Sequence, residues 1–107
     1  MQRGEVFRLR APQAIRGHEQ ARERYCVVVQ ADELLVLSTV IVAPTSTRAR
    51  PASFRPEVTI AGERTRVLVE QLGAVDPTRL GESEGLLSFD ELREVDRALA
   101  IVLALRA

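Results

Sequence analysis

Two apolar runs standing close together constrain this chain more than any other feature. They are "YCVVVQ" (residues 25–30) and "LLVLSTVIVAP" (residues 34–44), separated by a charged break at Asp32 and Glu33. A near-continuous run rich in β-branched side chains is the pattern of a strand buried on both faces or lining a small barrel. Two such strands joined by a short polar turn read as a hairpin, with the second strand ending at Pro44.

The remaining segments add strands and one helix. "GEVFRLR" predicts a short first strand, and Pro12 with the charged run after it predicts a loop of roughly a dozen residues, a length that is often functional in a small domain. "PTSTRARPASFRP" is rich in Pro, Ser, Thr and Arg and reads as irregular structure. "EVTI" and "TRVLVEQL" form a second hairpin with Gly62 at its turn. In "DPTRL", Asp76 before Pro77 predicts one capped turn, because Pro tolerates the first helical position. Ser88 and Glu91 have capping-box spacing, and Leu92, Val95, Leu99 and Val102 recur as one apolar helical stripe. Five or so strands before one terminal helix predict a compact, partly open antiparallel barrel. With 107 residues and no visible repeat or linker, residues 1–107 are expected to form a single domain.

Composition narrows the function classes. At 46% hydrophobic and 28% charged residues, neither disorder nor a fibrous class is favoured. Only Phe7, Tyr25, Phe54 and Phe89 are aromatic, too few for an extended base-stacking platform. The formal charge is zero, but residues 1–60 hold nine Arg against six acids and residues 61–107 hold six against nine, which puts a phosphate-facing surface in the first half. All fifteen cations are Arg, a side chain that binds phosphate bidentately. The single Cys26 rules out an internal disulfide and a Cys-rich metal site, and no His/Cys/carboxylate cluster has ligand spacing, so the residues themselves point to no metal or cofactor. No stretch reaches the roughly 18 apolar residues of a membrane span, and "MQRGEVFRLR" lacks the apolar core of a signal peptide. A soluble cytoplasmic protein is expected.

The approach to the first apolar run is unusual for a turn. It carries Arg16, His18, Glu19, Arg22, Glu23 and Arg24 where Gly, Pro, Asn or Asp are usual. By composition this is either a solvated loop or a site that handles an anion.

Taken in order, "RGEVF", "GHEQ" followed by "RERYCVVVQAD", "TVIVAPTS", "VLVEQLGAVDPTRLG" and "VDRALAIVLAL" resemble the MazF/PemK family, the ribonuclease toxins of bacterial toxin–antitoxin systems. The resemblance spans nearly the whole chain. It implies a mainly β fold with a C-terminal α-helix, a small SH3-like barrel of the CcdB/MazF/PemK type, working as a homodimer. It also implies metal-free cleavage of single-stranded RNA, and a cognate antitoxin whose disordered segment covers the RNA groove. Such cleavage uses the neighbouring 2′-hydroxyl and leaves a 2′,3′-cyclic phosphate and a 5′-hydroxyl. It needs a proton acceptor, positive charge at the phosphate and help for the departing oxygen.

The resemblance assigns Arg24, just before the buried strand, to the scissile phosphate, and Thr45 in "PTS" to a hydroxyl needed at that same phosphate. The family pattern is one residue longer there, so Ser46 and Thr47 stand beside Thr45 as equivalents. Glu70, in a pair with Gln71, and His18, in "GHEQ", are the candidate proton-transfer groups. Glu19, Gln20, Arg22, Ser46, Thr47 and Gln71 are the candidate RNA contacts. Ala21 and Tyr25 depart from a frequent Gly and Pro of the family; the Tyr25 ring is expected to pack, and Cys26 to lie in the core. Two other classes remain: a non-catalytic RNA- or peptide-binding barrel, and a CcdB-like gyrase inhibitor, against which the absence of Trp counts.

Overall fold

The computed structural model describes residues 1–10 and 24–105. β1 (Glu5–Leu9) pairs antiparallel with β2 (Arg24–Val28), Phe7 opposite Cys26 and Leu9 opposite Arg24. β3 (Val40–Ser46) follows, then β4 (Glu57–Ile60), β5 (Glu63–Val67), β6 (Gly73–Val75) and β7 (Leu80–Leu86), before α1 (Phe89–Val102). The strands lie in the order β4-β5-β3-β2-β1-β7, with β6 also beside β3. β3 is the hub. It takes β2 on one edge, while its other edge is shared by β6 near Val40 and by β5 at Thr45 and Ser46.

Side chains alternate across a strand, and here both faces of the sheet are covered. On one face Val6, Val27, Ala43, Val58, Ile60 and Val67 pack beneath Val95 and Ala98 of α1. On the other, Phe7, Cys26, Val28, Val40 and Val42 form a second core, with Leu9, Leu35, Val75 and Leu80 around it. That double burial is why residues 25–30 read as a continuous apolar run.

The second apolar run behaves differently from expectation. Residues 32–34 form a 3-10 turn, and the strand begins only at Val40. Gln30 explains the detour: buried at 6% exposure, it donates to Leu34 O at 2.7 Å and accepts from Ile41 N at 2.9 Å, so it fixes the connecting loop from inside. The strand also continues past Pro44 to Ser46. Leu68 N donates to Pro44 O at 2.8 Å, and the Leu68 carbonyl that a residue with an N–H would have served accepts from Gln71 N at 2.9 Å instead. Proline therefore leaves no orphaned group at this point.

The β4–β5 hairpin closes through Ala61 and Gly62, at φ of 53° and 80°. Two left-handed residues are what a tight type I′ turn requires, and only the glycine adopts that conformation at no steric cost.

Candidate functional site

Arg24 is the first residue of β2 and is exposed. His18, Glu19, Gln20 and Arg22 lie outside the described residues. The β2–β3 ladder sets Cys26 opposite Pro44 and Val28 opposite Val42; continued by two residues, it places Tyr25 across from Thr45 and Arg24 across from Ser46. The strand period then sorts the candidate hydroxyls by face. Arg24 shares the face of Cys26 and Val28, and Ser46 shares the face of Pro44 and Val42. Tyr25 and Thr45 point to the helix-covered side.

Thr45 is accordingly buried at 4% exposure, and its hydroxyl donates to Tyr25 O at 3.0 Å. Held there, the Thr45 hydroxyl ties β3 to β2. The hydroxyl across from Arg24 is that of Ser46, which is half-buried and accepts from Arg48 N at 3.1 Å, leaving its own proton to donate. Thr47 follows, exposed, just beyond the strand end.

Glu70 lies in a 3-10 turn of residues Val69–Gln71 that follows β5. Arg55 Nε and one terminal nitrogen both donate to Glu70 Oε2, at 3.0 and 2.7 Å. That guanidinium holds the Glu70 carboxyl below its ordinary value; partial burial opposes the shift, and the Gln71 side chain adds slightly to it. A carboxylate so engaged is a weak proton acceptor. In the fold it anchors Arg55. Arg55 also donates to Arg50 O at 3.3 Å, its carbonyl accepts from Arg66 at 2.9 Å, and the Phe54 ring centroid lies 5.5 Å from its guanidinium. Through Arg55, the segment between β3 and β4 is fastened to the turn that carries Glu70. Gln71 is exposed at the end of that turn.

Two side chains near Arg24 are engaged elsewhere. Tyr25 packs against the first core, with the Arg8 guanidinium 5.5 Å from its ring centroid. Cys26 is fully buried, and burial pushes its thiol up to about 11, which keeps it protonated and unreactive.

Sequence reasoning did not single out Arg55 and Arg66, which the fold brings beside Glu70 and Ser46. Arg66 is directly opposite Ser46, and Glu57 is opposite Arg66. The signal for Arg66 was the alternation in "ERTRV", where Thr65 and Val67 are buried and Arg64 and Arg66 are not. Among the described residues, no three His, Cys, Asp or Glu side chains converge as metal ligands.

Comparisons with known proteins bear on the whole chain. The family described as PemK-like, MazF-like toxin of type II toxin-antitoxin system matches residues 2–103. A Mycobacterium tuberculosis protein provisionally named as a toxin is 40% identical over 104 residues, which cover 96% of this chain and 97% of the relative. Among solved structures, an endoribonuclease in complex with its cognate antitoxin, from a mycobacterial species, superposes with a TM-score of 0.81 at 16% identity. It covers 100% of this chain and 98% of its own. A MazE–MazF complex from Deinococcus radiodurans gives a TM-score of 0.77 at 27% identity, over 99% of this chain and 97% of that one.

Proposed function

Because the chain belongs to the PemK-like, MazF-like family of type II toxins, we propose that residues 1–107 form a single toxin domain acting as a metal-independent, sequence-specific endoribonuclease on single-stranded RNA. The observation that carries this reading is the β2–β3 register, which, continued two residues past Cys26 and Pro44, sets Arg24 and Ser46 across from each other on one sheet face. A guanidinium fixed at a strand end can hold two phosphate oxygens as charge builds on them, and a neighbouring hydroxyl can donate to a third. The 2′-oxygen attacks phosphorus, the bond to the 5′-oxygen breaks, and a proton passes to that leaving oxygen. Of the two proton acceptors the resemblance offers, Glu70 is occupied by Arg55, which turns the assignment to His18. Thr47 and Gln71, both exposed, are the RNA contacts, with Glu19, Gln20 and Arg22 of the preceding segment.

The products are a 2′,3′-cyclic phosphate and a 5′-hydroxyl, and the cellular consequence is arrest of translation and growth. The protein works in the cytoplasm as a homodimer and is neutralised by a cognate antitoxin, as the complexes formed by the similar endoribonuclease and MazF suggest. No helix among the described residues is long and apolar enough to cross a membrane.

The test is incubation of the protein with a long single-stranded RNA in excess EDTA, beside Arg24→Ala and Ser46→Ala variants, with end analysis of the fragments. Discrete cuts that leave cyclic phosphate and fall at least tenfold in each variant are expected. Intact RNA from the folded protein would overturn the enzymatic reading and favour a non-catalytic RNA- or peptide-binding barrel.

A further inference from the structure

The face that carries Arg24 and Ser46 does not stop at β3. Arg66 stands opposite Ser46, and Glu57 stands opposite Arg66, with Arg64 two residues before it on β5. Arg64, Arg66 and Glu57 alternate with the buried Thr65, Val67 and Val58, so all three project on the side of the sheet that Arg24 occupies. There they border an open depression of about 190 Å³, lined by Thr47, Glu57, Arg64, Thr65 and Arg66.

Glu57 joins the two guanidiniums across this depression. Its Oε2 lies 3.1 Å from Arg64 and its Oε1 lies 3.4 Å from Arg66. Arg64 is 83% exposed, and an ion pair so open to water contributes little to stability. The geometry is that of an oxyanion with one guanidinium on each of two oxygens, which is how a phosphodiester presents its two non-bridging oxygens to arginines. The Arg24 and Arg66 strands are two strand spacings apart, roughly 10 Å. An RNA backbone held at Arg24 and running across β3 therefore arrives at this depression.

We infer that the depression is a second phosphate subsite, taking the backbone phosphate of a nucleotide beside the cleaved one, and that the Glu57 carboxylate is its resident occupant, which the phosphate displaces. This rests on the ribonuclease reading above. Its consequence is an opposed pair of effects from two neighbouring surface residues. Removing Arg64 removes a phosphate contact. Neutralising Glu57 releases Arg64 and the arm of Arg66 that does not hold the Arg55 carbonyl, and removes a repelling charge.

The experiment uses a short single-stranded RNA that contains the mapped cleavage site with a 2′-deoxy substitution at the attacking position, so that it binds without being cut. Affinity is measured across a salt series for wild type, Arg64→Ala and Glu57→Gln, with urea midpoints to confirm that each variant is folded. Arg64→Ala is expected to bind severalfold more weakly and to lose about 0.7 from the magnitude of its log K against log salt slope, the value for one phosphate contact on a single strand. Glu57→Gln is expected to bind severalfold more tightly. An unchanged slope in Arg64→Ala overturns the subsite, as does weaker binding by Glu57→Gln, which would make Glu57 a reader of bases. If Arg64→Ala binds RNA like wild type but is captured less tightly by the antitoxin, the depression belongs to the protein partner and the inference falls. Wild type that still cuts RNA while these arms fail sinks the subsite alone; wild type that neither cuts nor binds RNA sinks the ribonuclease reading with it.

Discussion

Glu70 is the residue at which position and chemistry pull apart. The resemblance offers it as a base, yet Arg55 donates twice to its Oε2, while Oε1 is buried with no hydrogen-bond partner among the described residues. The pair is partly solvated, so a charge-assisted contact of this kind is worth about 1–2 kcal/mol. Glu70→Gln is expected to lower the unfolding free energy by that amount at neutral pH, read from urea titrations. The sign with pH follows from a folded value depressed below the ordinary 4.5. The charged state stabilises the fold fully above the unfolded value, and this contribution is lost as pH falls through the lower folded value. The gap between wild type and variant should therefore narrow on acidification below about 4.5. Cleavage supplies the second reading. With Arg55 still in place, the variant should keep the pH profile of kcat/KM. A profile that loses a limb while the protein stays folded would return Glu70 to the role of base.

At the scale of elements, α1 is held at its start by more than its own cap. Ser88 Oγ accepts from Glu91 N at 3.1 Å, and Glu91 Oε1 accepts from Ser88 N at 2.9 Å. The other carboxylate oxygen of Glu91 accepts from Thr59 N of β4 at 2.9 Å, which ties the helix to an edge strand. Ser88→Ala should cost about 1 kcal/mol, whereas Glu91→Ala, which loses the tie to β4 as well, should cost about 2 kcal/mol, measured by urea unfolding. Equal losses would mean that the Thr59 contact contributes nothing.

The helix was legible in the sequence because cap and stripe are local signals, and the β4–β5 hairpin for the same reason. β7 was not, since "LGESEGL" is an edge strand with five of its seven residues exposed, a break at Gly85, and no apolar alternation to announce it. β3 was legible only in part. Its late start depends on where Gln30 reaches, and its passage through Pro44 depends on Gln71 serving the Leu68 carbonyl. Such contacts are long-range in sequence. In the site, Arg24 was marked by its place before the apolar strand, but the choice between Thr45 and Ser46 needed the face of β3, which a shift of one residue reverses.

Across the whole molecule, the sheet separates two cores with different duties. The first joins the sheet to α1; the second covers the same face as Arg24 and Ser46, farther along β2 and β3. Val95 and Val28 are both fully buried, one in each core. Truncating either to Ala removes the same two methyl groups, at a cost of about 2 kcal/mol including the cavity left behind. Since β2 runs through both cores, both variants should unfold in a single transition that is coincident by far-UV circular dichroism and fluorescence of an attached probe. Their effects on cleavage should differ. Val28 lies on the same strand and face as Arg24, so a cavity there loosens the support of the guanidinium, and Val28→Ala should cut RNA more slowly at a temperature where both variants are fully folded. Val95→Ala, separated from that face by the sheet, should cut at the wild-type rate. Equal impairment would show that the two cores deform together and that Arg24 is positioned by the molecule as a whole, not by the core beneath it.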